Sequence, residues 1–216
     1  RARAGPGDNT KALVELRRCI KRLDEDLGPD ECARRYAPLV MYQVYRNTGN
    51  ALAGTQDASL YEEAVALYRK AIAVLPTEDG AYYCLGRVLF LMGRMEDLCE
   101  HRKRTVATFP GSAMANYNYA STLEHKGCPA QELAKWYGLA WLCARNNPSG
   151  PASRDADYPV AAARQWVRLG MFDKAQKAID AALAIDPTDE PALGLKMAVV
   201  NGTNAYLQTN VNQELR

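Results

Sequence analysis

Apolar residues recur along this chain at helical spacing. In Tyr82-Tyr83-Cys84-Leu85-Gly86-Arg87-Val88-Leu89, the residues Tyr82, Leu85, Gly86 and Leu89 fall on one stripe of a helix. In Phe172–Ala182 the small residues Ala175 and Ala182 lie on one face, seven positions apart. Read in this way, the chain has helices near 9–26, 30–47, 58–75, 79–92, 94–108, 112–126, 130–145, 157–169, 171–185 and 189–203. Glycine and proline punctuate them. Gly93, Gly127 and Gly170 each follow a helix, where a left-handed cap residue ends it cheaply. Pro76, Pro110 and Pro187 each stop the helix that comes next.

The same pattern returns at a fixed interval. At an offset of 34 residues, Leu85 meets Tyr119, Gly86 meets Ala120, Leu89 meets Leu123, Gly93 meets Gly127, and Pro76 meets Pro110. At an offset of 43, Ala120 meets Ala163, Leu123 meets Trp166, and Gly127 meets Gly170. The nine additional residues fall in the Pro/Gly/Ser stretch Asn146–Ser153, a loop between helices. Gly86 and Ala120 are small where the two helices of a pair cross closely.

These residues resemble the tetratricopeptide repeat family. Ser59–Pro76 matches a second helix of that family through Ala64, Tyr68, Ala71 and Pro76, and Arg168–Pro187 matches nearly as well. The resemblance implies an all-α fold, a right-handed α-α superhelix of about four helix pairs with flanking helices. It divides the chain into a flanking helix over 1–28, an array over 29–189 with units near 30–78, 79–112, 113–155 and 156–189, and a solvating helix with a polar tail over 190–216. Three places depart from the family pattern. Leu98, Arg102 and Thr105 stand where Ala, an aromatic residue and Ala are usual, and the third unit carries Pro129. The first helix of the opening unit is expected within Glu31–Asn47, with Gly49–Asp57 as an enlarged loop.

The resemblance also implies that the first helix of each pair lines a concave face. Its groove positions carry Tyr83, Arg87, Phe90, Tyr117, Asn118, Ser121, Arg164 and Arg168, with Cys84, Leu91, Glu124, His125, Val160, Ala161 and Val167 among them. Two tyrosines one repeat apart make a ledge. Three arginines with Asn118 make a polar fork suited to carboxylates and peptide backbone. The expected partner is a protein or peptide with acidic residues or a free C-terminal carboxylate. The alternative is that the arginines pair with Glu124 and Asp157 of the chain itself. The clamp by which some family members hold chaperone tails is incomplete: Asn118 fits it, but Tyr83, Arg87, Asp157 and Ala161 occupy its other places.

Composition narrows the function classes. The 216 residues are 48% hydrophobic and 24% charged, enough for a buried core. Tyrosine (12) outnumbers phenylalanine (3), and alanine is frequent, which suits helices packed through small side chains. A net charge of +2 without a concentrated basic stretch argues against nucleic acid as the main partner, leaving a helical-repeat RNA binder as an alternative. No GxxxxGK, HExxH or GxSxG motif occurs, so the expectation is a protein that is not an enzyme, with no cofactor, no metal and no catalytic residues; a targeting domain of a larger enzyme is a further alternative. Six cysteines, at 19, 32, 84, 99, 128 and 143, form no CxxC pair and read as buried, reduced residues. With no apolar run long enough for a membrane span, they point to an intracellular, cytoplasmic setting. Trp136 and Trp141, five apart, cannot share one stripe of their helix, so one of them is a candidate second contact with a partner.

Overall fold

The computed structural model describes residues 6–22, 37–147, 150 and 155–214, which form two compact units, 1–101 and 102–216. Among the described residues all regular structure is helical: α1 (Pro6–Lys21), α2 (Pro38–Gly54), a 3-10 turn (Ala58–Leu60), α3 (Tyr61–Val74), α4 (Gly80–Leu91), α5 (Met95–Thr108), α6 (Ala113–His125), α7 (Ala130–Asn146), α8 (Asp157–Arg168), α9 (Phe172–Ile185) and α10 (Glu190–Glu214). In the first unit α1 packs on α2, α2 on α3, and α3 on α4. In the second, α6 packs on α7, α7 on α8, α8 on α9, and α10 on both α8 and α9.

The turns inside the pairs share one design. Gly93, Gly127 and Gly170 have φ of 69°, 75° and 68°. At each, the glycine N–H donates to the carbonyl three residues back, as Gly127 does to Glu124 (2.9 Å). The next N–H donates to the carbonyl five back, as Cys128 does to Leu123 (3.0 Å). This paired arrangement satisfies carbonyls that the helix end leaves open. The opening pair places Gln56, at φ 61°, two residues beyond its helix, where the others have glycine. Proline stands two residues beyond α3, α5 and α9, at Pro76, Pro110 and Pro187.

The first helix of the opening pair differs from its expected position. The start of the expected 30–47 helix and the end of the expected 9–26 helix lie outside the described residues. The helix that is described begins at Pro38, where the fixed φ of proline suits a first turn, and it runs through Gly49 to Gly54. Gly49 does not end it. A Cβ there would meet the Tyr68 ring at 2.7 Å, so this glycine is the close crossing of α2 on α3. The enlarged loop over Gly49–Asp57 therefore shrinks to Thr55–Asp57. Gln56 precedes Gly93 by 37 residues while Pro76 precedes Pro110 by 34, and the three additional residues match the 3-10 turn Ala58–Leu60. At the other end, the helix expected to stop at 203 continues to Glu214, with Leu193, Met197 and Val200 exposed on it.

Both cores are built from small residues and tyrosines. In the first unit Ala64, Ala71 and Ala81 are fully buried beside Tyr42, Tyr68, Leu52 and Leu89. In the second, Ala163, Ala175, Ala178 and Ala182 are fully buried, with Ile179 among them. Two fully buried tyrosine hydroxyls find partners: that of Tyr42 accepts the Ala81 N–H (3.0 Å), and that of Tyr68 donates to Asn50 Oδ1 (2.9 Å). The five described cysteines are free, and none is fully buried; Cys19 is exposed and the others are half-buried. This corrects the expectation of buried thiols, and Cys32 lies outside the described residues. No helix among the described residues is long and apolar enough to cross a membrane.

Urea unfolding of single variants tests the turn design. No atom approaches a Cβ at Gly127 within 4 Å, so Gly127→Ala isolates the left-handed backbone cost and lowers stability by about 1–2 kcal/mol. Gln56→Gly removes the same cost and raises stability, by up to about 1 kcal/mol after the added entropy of the unfolded chain.

Candidate functional site

In the first unit, the first-helix face is formed by α2 and α4. Aligning Tyr45, Thr48, Gly49 and Leu52 with Tyr82, Leu85, Gly86 and Leu89 places Arg46 and Asn50 at the register of Tyr83 and Arg87. All eight aligned residues are buried, which fixes the register of the other faces. Tyr83 and Cys84 are then half-buried, while Arg87 and Phe90 are exposed. The Arg46 guanidinium lies over the Tyr42 ring, 5.3 Å from its centroid, and against Gly80 at the start of α4. Its buried Nε has no hydrogen-bond partner. Arg87 stands beside the Tyr68 hydroxyl, and both arginines act on Cys84.

Burial sets the acid–base character of this face. It pushes the Cys84 thiol up, against the opposing pull of Arg87 and Arg46. It also pushes the Tyr68 hydroxyl well above the ordinary range, so this group stays a neutral donor. No carboxylate contributes to either shift. Two cations thus act on a half-buried polar patch to whose shifts no carboxylate of the described residues contributes.

In the second unit the corresponding face comes from α6 and α8. Tyr117 is wedged edge-on between Tyr137 (5.3 Å between centroids) and Tyr158 (5.4 Å), a rigid aromatic ledge. Burial and then nearby Asp157 push its hydroxyl up, while Arg164 pulls the other way, so Arg164 lies close to the ledge. Arg164 is exposed and forms no hydrogen bond or ion pair among the described residues, although Asp157 is within electrostatic range. Arg168 is engaged: its Nη1 lies 3.8 Å from Glu124 Oε1 and donates to Gln165 Oε1 at 3.3 Å. Glu124 also accepts from the Tyr137 hydroxyl (2.7 Å) and from Gln165 Nε2 (3.2 Å). Of the three arginines read from the sequence, Arg168 thus has an internal carboxylate partner. Val160 and Ala161, read as groove positions, are buried.

Asn118 and Ser121 occupy half-buried positions on α6. The Asn118 carbonyl accepts from Arg102 Nη1 at 2.6 Å, and the same nitrogen donates to Thr122 Oγ1 at 2.7 Å. Arg102, which departs from the family pattern, therefore replaces an aromatic contact with charged hydrogen bonds to the helix that bears Tyr117 and Asn118. The sequence reading did not include Arg46 and Asn50. The Tyr-x-x-Thr-Gly-x-x-Leu run from Tyr45 to Leu52 was the signal, displaced by 37 residues instead of 34.

Two measurements follow from these environments. Arg102→Met removes charge-assisted hydrogen bonds and lowers stability by about 1.5–3 kcal/mol in urea unfolding, without loss of helical circular dichroism. Because its pKa is raised, Cys84 reacts more slowly with iodoacetamide at pH 8.5 than exposed Cys19; resolved peptide mass spectrometry of the alkylated chain reads the ratio.

No protein-family model and no curated protein sequence matches the chain. Solved structures do. A crystal structure of MamA superposes with a TM-score of 0.57 at 16% identity, over 84% of this chain and 90% of MamA. MamA of AMB-1 gives 0.55 at 15% identity, over 88% of each chain. A chain of the APC/C hetero-tetramer Cut9–Hcn1 gives 0.53 at 13% identity, over 90% of this chain and 34% of that one. These are tetratricopeptide-repeat proteins, and by fold this chain is an all-α helical repeat of the tetratricopeptide type.

Proposed function

We propose that this chain is a non-catalytic protein-interaction module, a scaffold whose first-helix faces bind a peptide segment or a partner subunit. The observation that supports the reading most is the pair Arg46 and Arg87. Both act on Cys84, Arg87 also borders the Tyr68 hydroxyl, no carboxylate of the described residues contributes there, and the buried Arg46 Nε is unpaired. An unsatisfied buried donor costs roughly 1–3 kcal/mol, which a ligand carboxylate relieves by accepting from it. Planar guanidinium forks favour carboxylates over single-point acceptors. Phe90, 45% exposed on the same helix, offers an apolar contact beside the charge.

The second unit repeats the theme with fewer cations. Arg164 stands beside the Tyr117 ledge, and the two can take a carboxylate and an apolar or aromatic neighbour together. Asn118 and Ser121 add amide and hydroxyl groups on the same helix. The ligand carboxylate comes either from an Asp or Glu side chain or from a free C-terminus. The similarity to a chain of a multi-protein assembly agrees with a scaffold role, though through the fold alone.

Selection of ligands from a random peptide library on the intact chain tests this reading. Arg87→Glu and Arg164→Glu are each expected to weaken the selected peptides by about tenfold, equivalent to about 1.4 kcal/mol. Amidating the peptide C-terminus removes binding if the terminal carboxylate is the anchor and leaves it intact if an acidic side chain is. Ligands that neither substitution weakens would remove the first-helix faces from consideration.

A further inference from the structure

A different face of the second unit, carried by the second helix of its pair, has the features of another binding site. Lys135, Leu139, Leu142 and Arg145 share one face of α7, at spacings of four, three and three residues. Beside them the side chain of Trp166 crosses from α8, and its indole packs edge-on against Trp141 at 5.6 Å. Gly138 makes this possible, since a Cβ there would come within 3.1 Å of Trp166. The result is a groove of about 420 Å³, floored by both tryptophans and Leu142, with Lys135 and Arg145 on its rim. Ligand pockets commonly enclose roughly 300–1,000 Å³. Trp136, next to Lys135 on α7, is instead spent on an edge contact with Tyr119.

The charges identify the occupant. Among the described residues no carboxylate lines the groove. The Arg145 guanidinium lies over the Trp141 ring (5.4 Å), and the Lys135 ammonium over Trp136 (4.9 Å). Neither forms an ion pair among the described residues. An apolar recess between two such cations suits an apolar group between two anions. A second copy joined by a twofold axis would bring these cations towards one another, which disfavours self-association.

Distance narrows the ligand further. Ten residues of helix separate Lys135 from Arg145, or about 15 Å along its axis. An extended chain covers that length in about five residues. We infer that this groove binds an extended peptide segment with one bulky apolar side chain midway between two acidic residues four positions apart, so that all three project to one face. The apolar side chain lies on Trp141, Trp166 and Leu142, and the carboxylates meet Lys135 and Arg145. This site stands apart from the first-helix faces and does not depend on them.

The probe is an N-acetylated, C-amidated peptide, Gly-Ser-Glu-Ala-Phe-Ala-Asp-Ser-Gly, titrated into the intact chain with tryptophan fluorescence as readout. Saturable binding is expected, with a change in emission because two of the three tryptophans floor the groove. The double variant Lys135→Glu/Arg145→Glu, whose side chains are exposed, should weaken it by at least about tenfold, and added salt should weaken it in the wild type. Leu142→Ala leaves the charges in place and should weaken it several-fold. Arg69→Glu, an exposed cation on α3 of the first unit, should leave it unchanged. The inference is overturned if the double variant binds as the wild type does, or if a peptide with Lys in place of both acids binds equally. It is also overturned if Arg69→Glu alone abolishes binding, or if anionic lipid vesicles bind this face and the peptide does not.

Discussion

Close approach of helices through residues with almost no side chain is the constraint on which this structure rests. Ala64, Ala71 and Ala81 in the first unit, and Ala163, Ala175, Ala178 and Ala182 in the second, are completely removed from solvent. Gly49 shows the tolerance directly, because even a methyl group there would collide with Tyr68. An interior packed to crystal-like density cannot absorb such a change without moving a helix. Small residues at the crossings bring the backbones together, so the larger side chains are displaced towards the helix flanks. That geometry supplies both the cores and the exposed faces beside them.

Tyrosine suits those flanks better than phenylalanine does. Its ring fills the space beside a crossing, and its hydroxyl reaches a polar group that the crossing would otherwise strand. Tyr42 accepts from the first turn of α4, Tyr68 donates to Asn50, and Tyr137 donates to Glu124. Arg102 does related work with a charge, tying α5 to a carbonyl and a hydroxyl of α6. The polar groups at the edges of the faces are therefore held in place by the same contacts that close the core. A preorganised polar face loses less entropy when a ligand orders against it.

Much of this was legible in the sequence wherever one residue type has one physical use. Gly93, Gly127 and Gly170 marked left-handed turns, and Pro76, Pro110 and Pro187 marked helix ends, because few alternatives satisfy those backbone demands. Residues with two uses conceal their role in the sequence. Gly49 has the composition of a loop residue but a steric role, and Gln56 hides a turn by filling a glycine position. Three additional residues before α3 then displaced the register, which concealed Arg46 and Asn50. The pairing of Arg168 with Glu124, and the approach of Trp166 to Gly138, depend on neighbours brought together only by folding. No one-dimensional pattern carries that information.

The glycine turns have a consequence for how quickly the chain can assemble. Each closes with hydrogen bonds reaching back only three and five residues, and each delivers a helix onto the one just completed. Contacts this short in sequence cost little loop-closure entropy before they begin to stabilise, so folding is governed by local events and not by a search for distant partners. A pair can form early and then serve as the surface on which the next one grows, in the manner of a one-dimensional lattice. Growth from neighbour to neighbour lets the order of assembly follow the order of the chain.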